Sequence, residues 1–442
     1  MNPPNILYIH SHDTGRYIQP FGYAFDTPNL QKLAEEGVLF RHCHCANPTC
    51  SPSRASLLTG TYPHQNGMFG LAHRGWRLND YHEHILHTLR EHGYDSVLSG
   101  IQHIATHDGT PEIGYDEWLN PTGPAPHVAA EQWLDQRTSD KPFFLSVGFG
   151  ETHREFPEEH PRDDARYTMP PEPLPDTPET REDAARYAGY VRLLDEQMGT
   201  VFDALKRNGL WDNTLVICTT DHGIAFPRMK CTLTDSGTGV LLILRGPGAG
   251  DDARGFVGGR VCDSLVSHVD VFPTVCDVLG IPHPERLEGV SLLPIAEDET
   301  AEVREEVHAE LNYHACYDPQ RMVRTKRWKY IRRFTDREKP ILPNTDDSLS
   351  KQVWLDAGWP KLEHERLFDL ILDPNESRNL ADDPDHRQTL NDMRGRLRRW
   401  QEATGDPILN GNIPPSEAAV SNALDAVSPH SPTRPFAEFP QY

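Results

Sequence analysis

Basic residues are the scarce class in this chain: 43 Lys and Arg stand against 66 Asp and Glu, a formal net charge of -23 over 442 residues. A surface so short of positive charge is a poor match for nucleic acid or an anionic membrane, which are held by basic faces. It also suits a small anionic substrate better than a long polyanion. No apolar run approaches the length of a membrane span. The opening MNPPNILYIHSHD has neither the basic region nor the small-residue cleavage site of a secretory leader. These shortages predict a cytoplasmic protein with no nucleic-acid or membrane partner. Internal repeats are absent, and the eight cysteines follow no repeated metal-binding spacing, so thiols in a reducing compartment are expected. Cys43 and Cys45 alternate along one extended segment and read as packing residues.

Regular alternation is what the chain does have. NILYIH (5–10), DSVLSG (95–100), FFLSVGF (143–149), NTLVICTTD (213–221) and VLLILRG (240–246) read as buried strands. Between them TPNLQKLAEEG (27–37) and residues 184–209 have helical periodicity. This order predicts an α/β fold over residues 1–302, a large mixed, mostly parallel sheet sandwiched by helices, with its chemistry at the carboxyl ends of the strands. From about residue 303 the pattern changes. Residues 320–334 and 365–374 read as antiparallel strands with one solvated face, and 384–405 sets Leu390, Met393, Leu397 and Trp400 on one helical stripe. A smaller C-terminal α+β domain of antiparallel sheet plus helix is therefore expected over 303–410. Residues 411–442, rich in Pro, Ser and Ala, are expected to form an extended tail, of a length suited to packing on a neighbouring subunit in a homo-oligomer.

The stretch CSPSRASLLTG (50–60) stands out. Cys50 precedes a segment of helical character, so its side chain lies near a helix N-terminus, where backbone N–H groups favour anions. Arg54 adds a fixed charge able to fork onto two oxygens. Together they point to a nucleophile that handles an anion.

This stretch resembles the signature of the sulfatase family of the alkaline phosphatase superfamily, in which Cys-x-Pro-x-Arg directs oxidation of the cysteine to formylglycine by a separate maturation enzyme. Cys50, Pro52, Arg54, Thr59 and Gly60 carry the match, and TYPHQNGMFGL (61–71) is more like the N-sulfoglucosamine sulfohydrolases (sulfamidases) and their bacterial relatives than the arylsulfatases. The likeness runs on to ERLFDLILDPNESRNLADDP (365–384). It implies a formylglycine derived from Cys50 and one divalent metal, calcium by family habit. Paired residues at two strand ends hold that ion in the family, and they correspond here to His12 and Asp13 in SHDTG and to Asp221 and His222 in TTDHG, with the Cys50-derived hydroxyl completing the shell. His12 stands where an aspartate is usual, and two imidazoles make manganese or zinc plausible ions.

The resemblance also implies that His153 in FGETHREFP binds sulfate and protonates the leaving group, and that Lys230 in RMKCTLTDSG contacts sulfate. Where the family carries Gly-Lys-x-His, this chain reads GIQH: Gly100 and His103 match, but Ile101 replaces the lysine. Arg74, Arg77 and Arg228 are the candidates to offset that loss. Residues 309–325 read as a loop between domains that carries Glu310, Asn312, Tyr313, His314 and Arg321, with His314 the expected leaving-group contact. The function expected is hydrolysis of a sulfate ester or sulfamate on a small substrate. The alternatives are a phosphodiesterase or phosphonate monoester hydrolase of the same superfamily, or a silent scaffold if Cys50 stays a thiol.

Overall fold

Eight strands form the central sheet: β1 (Asn5–Ser11), β2 (Val38–His44), β3 (Asp95–Gly100), β4 (Glu117–Trp118), β5 (Phe143–Gly148), β6 (Thr214–Thr220), β7 (Leu242–Arg245) and β8 (Arg260–Ser267). The computed structural model describes residues 3–158, 162–248, 255–298 and 300–436, so the last six residues of the expected tail lie outside the described residues. The spatial order is β4-β3-β5-β1-β6-β7-β2-β8. Every pairing is parallel except those of β7 with β6 and with β2. β1, β5 and β6 are buried along their whole length, as strands covered on both faces must be.

Two apolar layers cover the sheet. One is built on the helix Pro178–Arg207, which contributes Val191, Leu194, Met198, Val201 and Leu205. Its start is set by Thr177, whose hydroxyl accepts the Thr180 N–H at 3.3 Å, and by Pro178 in the first turn. On the other layer lie Leu57 and Leu58 of the helix Cys50–Thr59 and Phe272 and Val275 of Val271–Leu279.

A second sheet follows, with β9 (Val307–Tyr313), β10 (Tyr317–Arg324), β11 (Trp328–Arg333) and β12 (Glu365–Asp369) in the antiparallel order β12-β11-β10-β9. The expected solvated face is absent from it: β9 and β10 are buried at every position. One face packs Val323, Tyr330 and Leu367 under Leu390, Met393, Leu397 and Trp400 of the helix Arg387–Thr404. The other packs Ala309, Leu311, Met322, Ile331 and Phe368 against Leu233 of the large domain. Polar residues on these strands are buried in ion pairs, as with Arg321, 3.2 Å from Glu310 and 2.7 Å from Asp406. That polarity is what read as solvation. Residues 309–325 are likewise not a loop but the β9–β10 hairpin, with His314 at its turn. Strand β12 ends at Asp369, and Ile371 and Leu372 turn outward.

The tail is not extended. Strand β13 (Val420–Asn422) pairs with β14 (Thr433–Pro435), and Phe436 is buried against the Tyr313 and Tyr317 rings of the same chain. No helix among the described residues is long and apolar enough to cross a membrane.

His84 caps the helix Ile85–Glu91, its Nδ1 accepting the Leu86 N–H at 3.0 Å, and burial pushes its imidazole down to about 3. The unfolded chain takes up a proton near the ordinary histidine value and the native chain does not. Stability is therefore lost as pH falls below about 6.5, by about 1.4 kcal/mol per pH unit until the folded value is reached. His84→Asn keeps a cap acceptor and removes the titration. In urea melts at pH 7 and pH 5 the wild type is expected to lose about 2 kcal/mol more than the variant, and equal losses would contradict this account.

Candidate active site

Four adjacent strands, β3, β5, β1 and β6, run parallel and end at one edge of the sheet. The residues after their carboxyl ends are His103, His153, the pair His12 and Asp13, and the pair Asp221 and His222. β2 runs the same way and leads into the helix Cys50–Thr59, which places Cys50 at a helix N-terminus at that edge. Gly60, with φ of 72°, ends this helix in the left-handed conformation that glycine adopts at no steric cost. Sheet register thus converts residues scattered over 200 positions into one pocket. Asp13 itself sits at φ of 54° and His103 at 57°, non-glycine left-handed backbone of the kind that functional sites hold in place.

Potential ligand atoms of His12, Asp13, Cys50, Asp221 and His222 all lie within 4.8 Å of one another, and all five residues are buried. The Asp13 N–H donates to Asp221 Oδ1 at 2.8 Å, locking the two strand ends together. Nδ1 of His222 faces the Gly223 carbonyl at 2.9 Å, so Nδ1 carries the proton. That leaves the Nε2 lone pair 3.1 Å from Asp13 Oδ1 and 3.3 Å from Cys50 Sγ. A ring nitrogen and a carboxylate oxygen this close share either a proton or a cation, and carboxylate, imidazole and a residue-50 oxygen are fitting donors for a divalent ion. His12 Nδ1 stands 2.6 Å from Asp13 Oδ1 and 3.4 Å from Asp221 Oδ2, at the rim of the same cluster.

Fixed cations flank the cluster. Arg54 donates to Asp221 Oδ2 and the Ser11 carbonyl, each at 2.9 Å, and to His10 Nδ1 at 2.5 Å. Lys230 Nζ donates to Asp13 Oδ2 at 2.8 Å and to Asp346 Oδ2 at 3.1 Å, and lies 3.4 Å from His153 Nε2. Burial opposes ionisation of Asp13, but the Lys230 ammonium beside it outweighs that and holds the carboxyl well below the usual range. For Asp221 the same burial is outweighed chiefly by Arg54. Lys230 is held well above its ordinary value, since Asp13 and Asp346 overcome the burial that would lower it. His12 is pushed down to about 4 by burial and is neutral, and burial pushes the Cys50 thiol well up, so the thiol itself is no thiolate nucleophile at neutral pH. Three carboxylates, of Asp13, Asp221 and Asp346, thus face two fixed cations, a net negative charge that a divalent ion reverses.

The structure brings most of the sequence-expected residues together. The His12 ring centre lies 5.5 Å from that of His103 and 4.6 Å from that of His153. The His153 Nδ1 faces the Arg154 carbonyl at 2.5 Å, which turns Nε2 toward Lys230. His314 is within electrostatic reach of Lys230, Arg74, His222 and His73, and burial pushes it well down. Of the candidates to offset Ile101, Arg74 is buried and donates to the Ala315 carbonyl at 3.3 Å. Arg77 instead points to the surface and pairs with Glu112 at 2.9 Å, so it plays no part. Arg228 lines a cavity beside Lys230 and does not touch the cluster. Two residues escaped the sequence reading. Asp346 is 116 positions from its partner Lys230, in a segment without a motif, and His73, whose ring stacks on His103 at 5.5 Å, was signalled only by its place next to Arg74.

Comparison with known proteins places this geometry in context. A family model described as Sulfatase matches residues 4–281, and one described as N-sulphoglucosamine sulphohydrolase, C-terminal, matches residues 252–347. An ulvan-active sulfatase of Formosa agariphila is 30% identical over 434 residues, covering 93% of this chain and 82% of that protein. The N-sulphoglucosamine sulphohydrolase of Homo sapiens is 29% identical over 468 residues, covering 92% and 91%. In fold, the structure of BT4656 in complex with its substrate D-glucosamine-2-N,6-O-disulfate matches with a TM-score of 0.70 at 19% identity, over 92% of this chain and 99% of that one.

Removing one carboxylate tests the cation site. Asp13→Asn is expected to lower affinity for a divalent ion at least tenfold, measured by elemental analysis of dialysed protein against the wild type. Unchanged metal content in the variant would contradict the assignment.

Proposed function

The chain belongs to the sulfatase family, and from that premise we propose that it is a formylglycine-dependent hydrolase that releases inorganic sulfate from a small sulfate ester or sulfamate of the N-sulfoglucosamine type. The observation that carries this reading is the convergence of Cys50, Asp13, Asp221 and His222 on one buried cluster flanked by Arg54 and Lys230. When present, the divalent ion supplies charge to offset the sulfate oxygens and the attacking hydroxyl. Oxidation of Cys50 by a maturation enzyme supplies an aldehyde whose hydrate has two hydroxyls on one carbon, one to attack sulfur and one to expel sulfate as the aldehyde re-forms.

The chain's own residues bind, orient and move protons around that centre. Lys230 and Arg54 hold the carboxylates ionised and present positive charge to the sulfate oxygens. His153 is the proposed acid. Its Nδ1 proton is committed to the Arg154 carbonyl, so Nε2 is the atom that carries a proton to the leaving oxygen or nitrogen as its bond to sulfur breaks. His103 and His314 wall the site on the leaving-group side, with Arg74 and His73 behind them. Arg228 is kept as a substrate contact by way of the neighbouring cavity. Calcium follows the family resemblance, while nitrogen from His12 and His222 would favour manganese or zinc. All eight cysteines are buried thiols outside any disulfide, which supports a reducing, cytoplasmic setting.

A histidine-containing shell also suits a phosphodiesterase or phosphonate monoester hydrolase, and substrate comparison separates the two. The matured enzyme is expected to turn over N-sulfoglucosamine or an aryl sulfate with kcat/KM at least about tenfold above an aryl phosphodiester, and Cys50→Ala to lose about 10³-fold or more. Preference for the phosphodiester would overturn the sulfatase reading, and activity retained in Cys50→Ala would overturn the mechanism.

A further inference from the structure

The small sheet carries a second concentration of positive charge that the hydrolytic reading does not use. Side chains alternate between faces along a strand. With Arg366 opposite Ile331 and Arg333 opposite Gln320, Arg333 and Arg366 share the face of Met322, Ile331 and Phe368. That face looks onto the segment running from Arg228 to Leu233. Between the two lies a cavity of about 520 Å³, whose walls include Arg228, Lys230, Arg333, Arg366, Phe368 and Trp359. Lys230 is the link to the hydrolytic centre, since its ammonium also donates to Asp13.

The acids on these walls leave two of the three guanidinium groups without a counter-ion in contact. Asp318 is ion-paired with Arg333 and accepts from Gln320 Nε2 at 2.8 Å. Glu376 accepts from the Asp235 N–H and lies 3.1 Å from Lys329 Nζ. Glu363 is exposed and acts on Arg366 only through its field. Among the described residues neither the Arg228 nor the Arg366 guanidinium meets a hydrogen-bond or ion-pair partner, and Arg228 lies over the Trp354 ring at 5.2 Å. Burial pushes both below the ordinary arginine value, Arg366 to about 10 with Arg333 and Arg228 adding to the effect. Arg228 and Arg366 are half-buried and, unlike Arg333, have no carboxylate in contact, and their fork geometry matches the paired oxygens of sulfate or carboxylate. In a chain of net charge -23, such a local surplus stands out.

We propose that this cavity is an anion subsite that takes a second sulfate or carboxylate carried by the substrate molecule, making the substrate a doubly anionic sugar whose ring lies against Trp359. The identity of that molecule rests on the hydrolase reading above, whereas the binding of an anion does not. Two measurements on the full-length matured protein distinguish a substrate group from a free anion. The first compares kcat/KM for N-sulfoglucosamine and N,6-O-disulfoglucosamine in the wild type, Arg366→Gln and Arg366→Lys. The wild type is expected to favour the disulfated sugar, Arg366→Gln to cut that ratio about tenfold, and Arg366→Lys to retain most of it. A ratio that Arg366→Gln leaves unmoved overturns the proposal. The second titrates inorganic sulfate calorimetrically. Two sites are expected in the wild type and one in Arg366→Gln. Loss of a sulfate site with an unmoved substrate ratio assigns the cavity to free anion and overturns the substrate assignment. If neither sugar is turned over, the hydrolase reading fails separately, and the titration still decides. A lost site then supports the anion subsite, and equal binding in both proteins overturns it.

Discussion

Two carboxylates buried side by side at the ends of neighbouring strands set the terms for the rest of the site. Asp13 sits two residues past β1 and Asp221 one past β6, joined by the Asp13 N–H bond to Asp221 Oδ1, with no solvent to dilute their repulsion. Each has acquired its own cation, Lys230 for Asp13 and Arg54 for Asp221, and the His222 lone pair points into the gap between them. A buried pair of like charges is tolerable only with such compensation. In the proposed mechanism the compensators are also the groups that meet a substrate sulfate, so the demand for charge balance and the capacity to bind an anion would arise from the same atoms.

Compensation reaches beyond the large domain. Lys230 is shared between Asp13 and Asp346, and Asp346 lies in the connection between β11 and β12 of the second sheet. The small sheet therefore serves more than burial of the helix Arg387–Thr404. It supplies a carboxylate to the centre and, on the face turned toward Arg228, the guanidinium groups of Arg333 and Arg366. The C-terminal hairpin closes on the β9–β10 turn through Phe436, which packs on Tyr313 and Tyr317 at either side of His314 in the chain.

Much of this was legible in the sequence because it is local. Cys50 with Arg54 was legible from its place at a helix start, whereas Asp13, Asp221 and His222 followed from the resemblance to the sulfatases, at strand ends that the apolar runs had marked. The parallel sheet was itself legible because it is local, in runs that are buried on both faces. What stayed hidden depends on contacts distant in sequence. The polar residues of β10 read as a solvated face, whereas Arg321 is buried by Glu310 and Asp406, the latter 85 positions away. The tail read as extended because a three-residue pairing and one anchoring phenylalanine leave no periodicity. Asp346 has no motif at all, and its role exists only once Lys230 is folded against it.

The claim on which the account turns is that residue 50 acts as formylglycine, not as a thiol. Peptide mass spectrometry across residue 50, on protein matured in its host or alongside a maturation enzyme and read in denaturing solvent, tests it most directly. The account predicts a peptide about 18 Da lighter than the cysteine form. A peptide carrying the intact thiol under those conditions, in protein that still hydrolyses sulfated substrates, would contradict it.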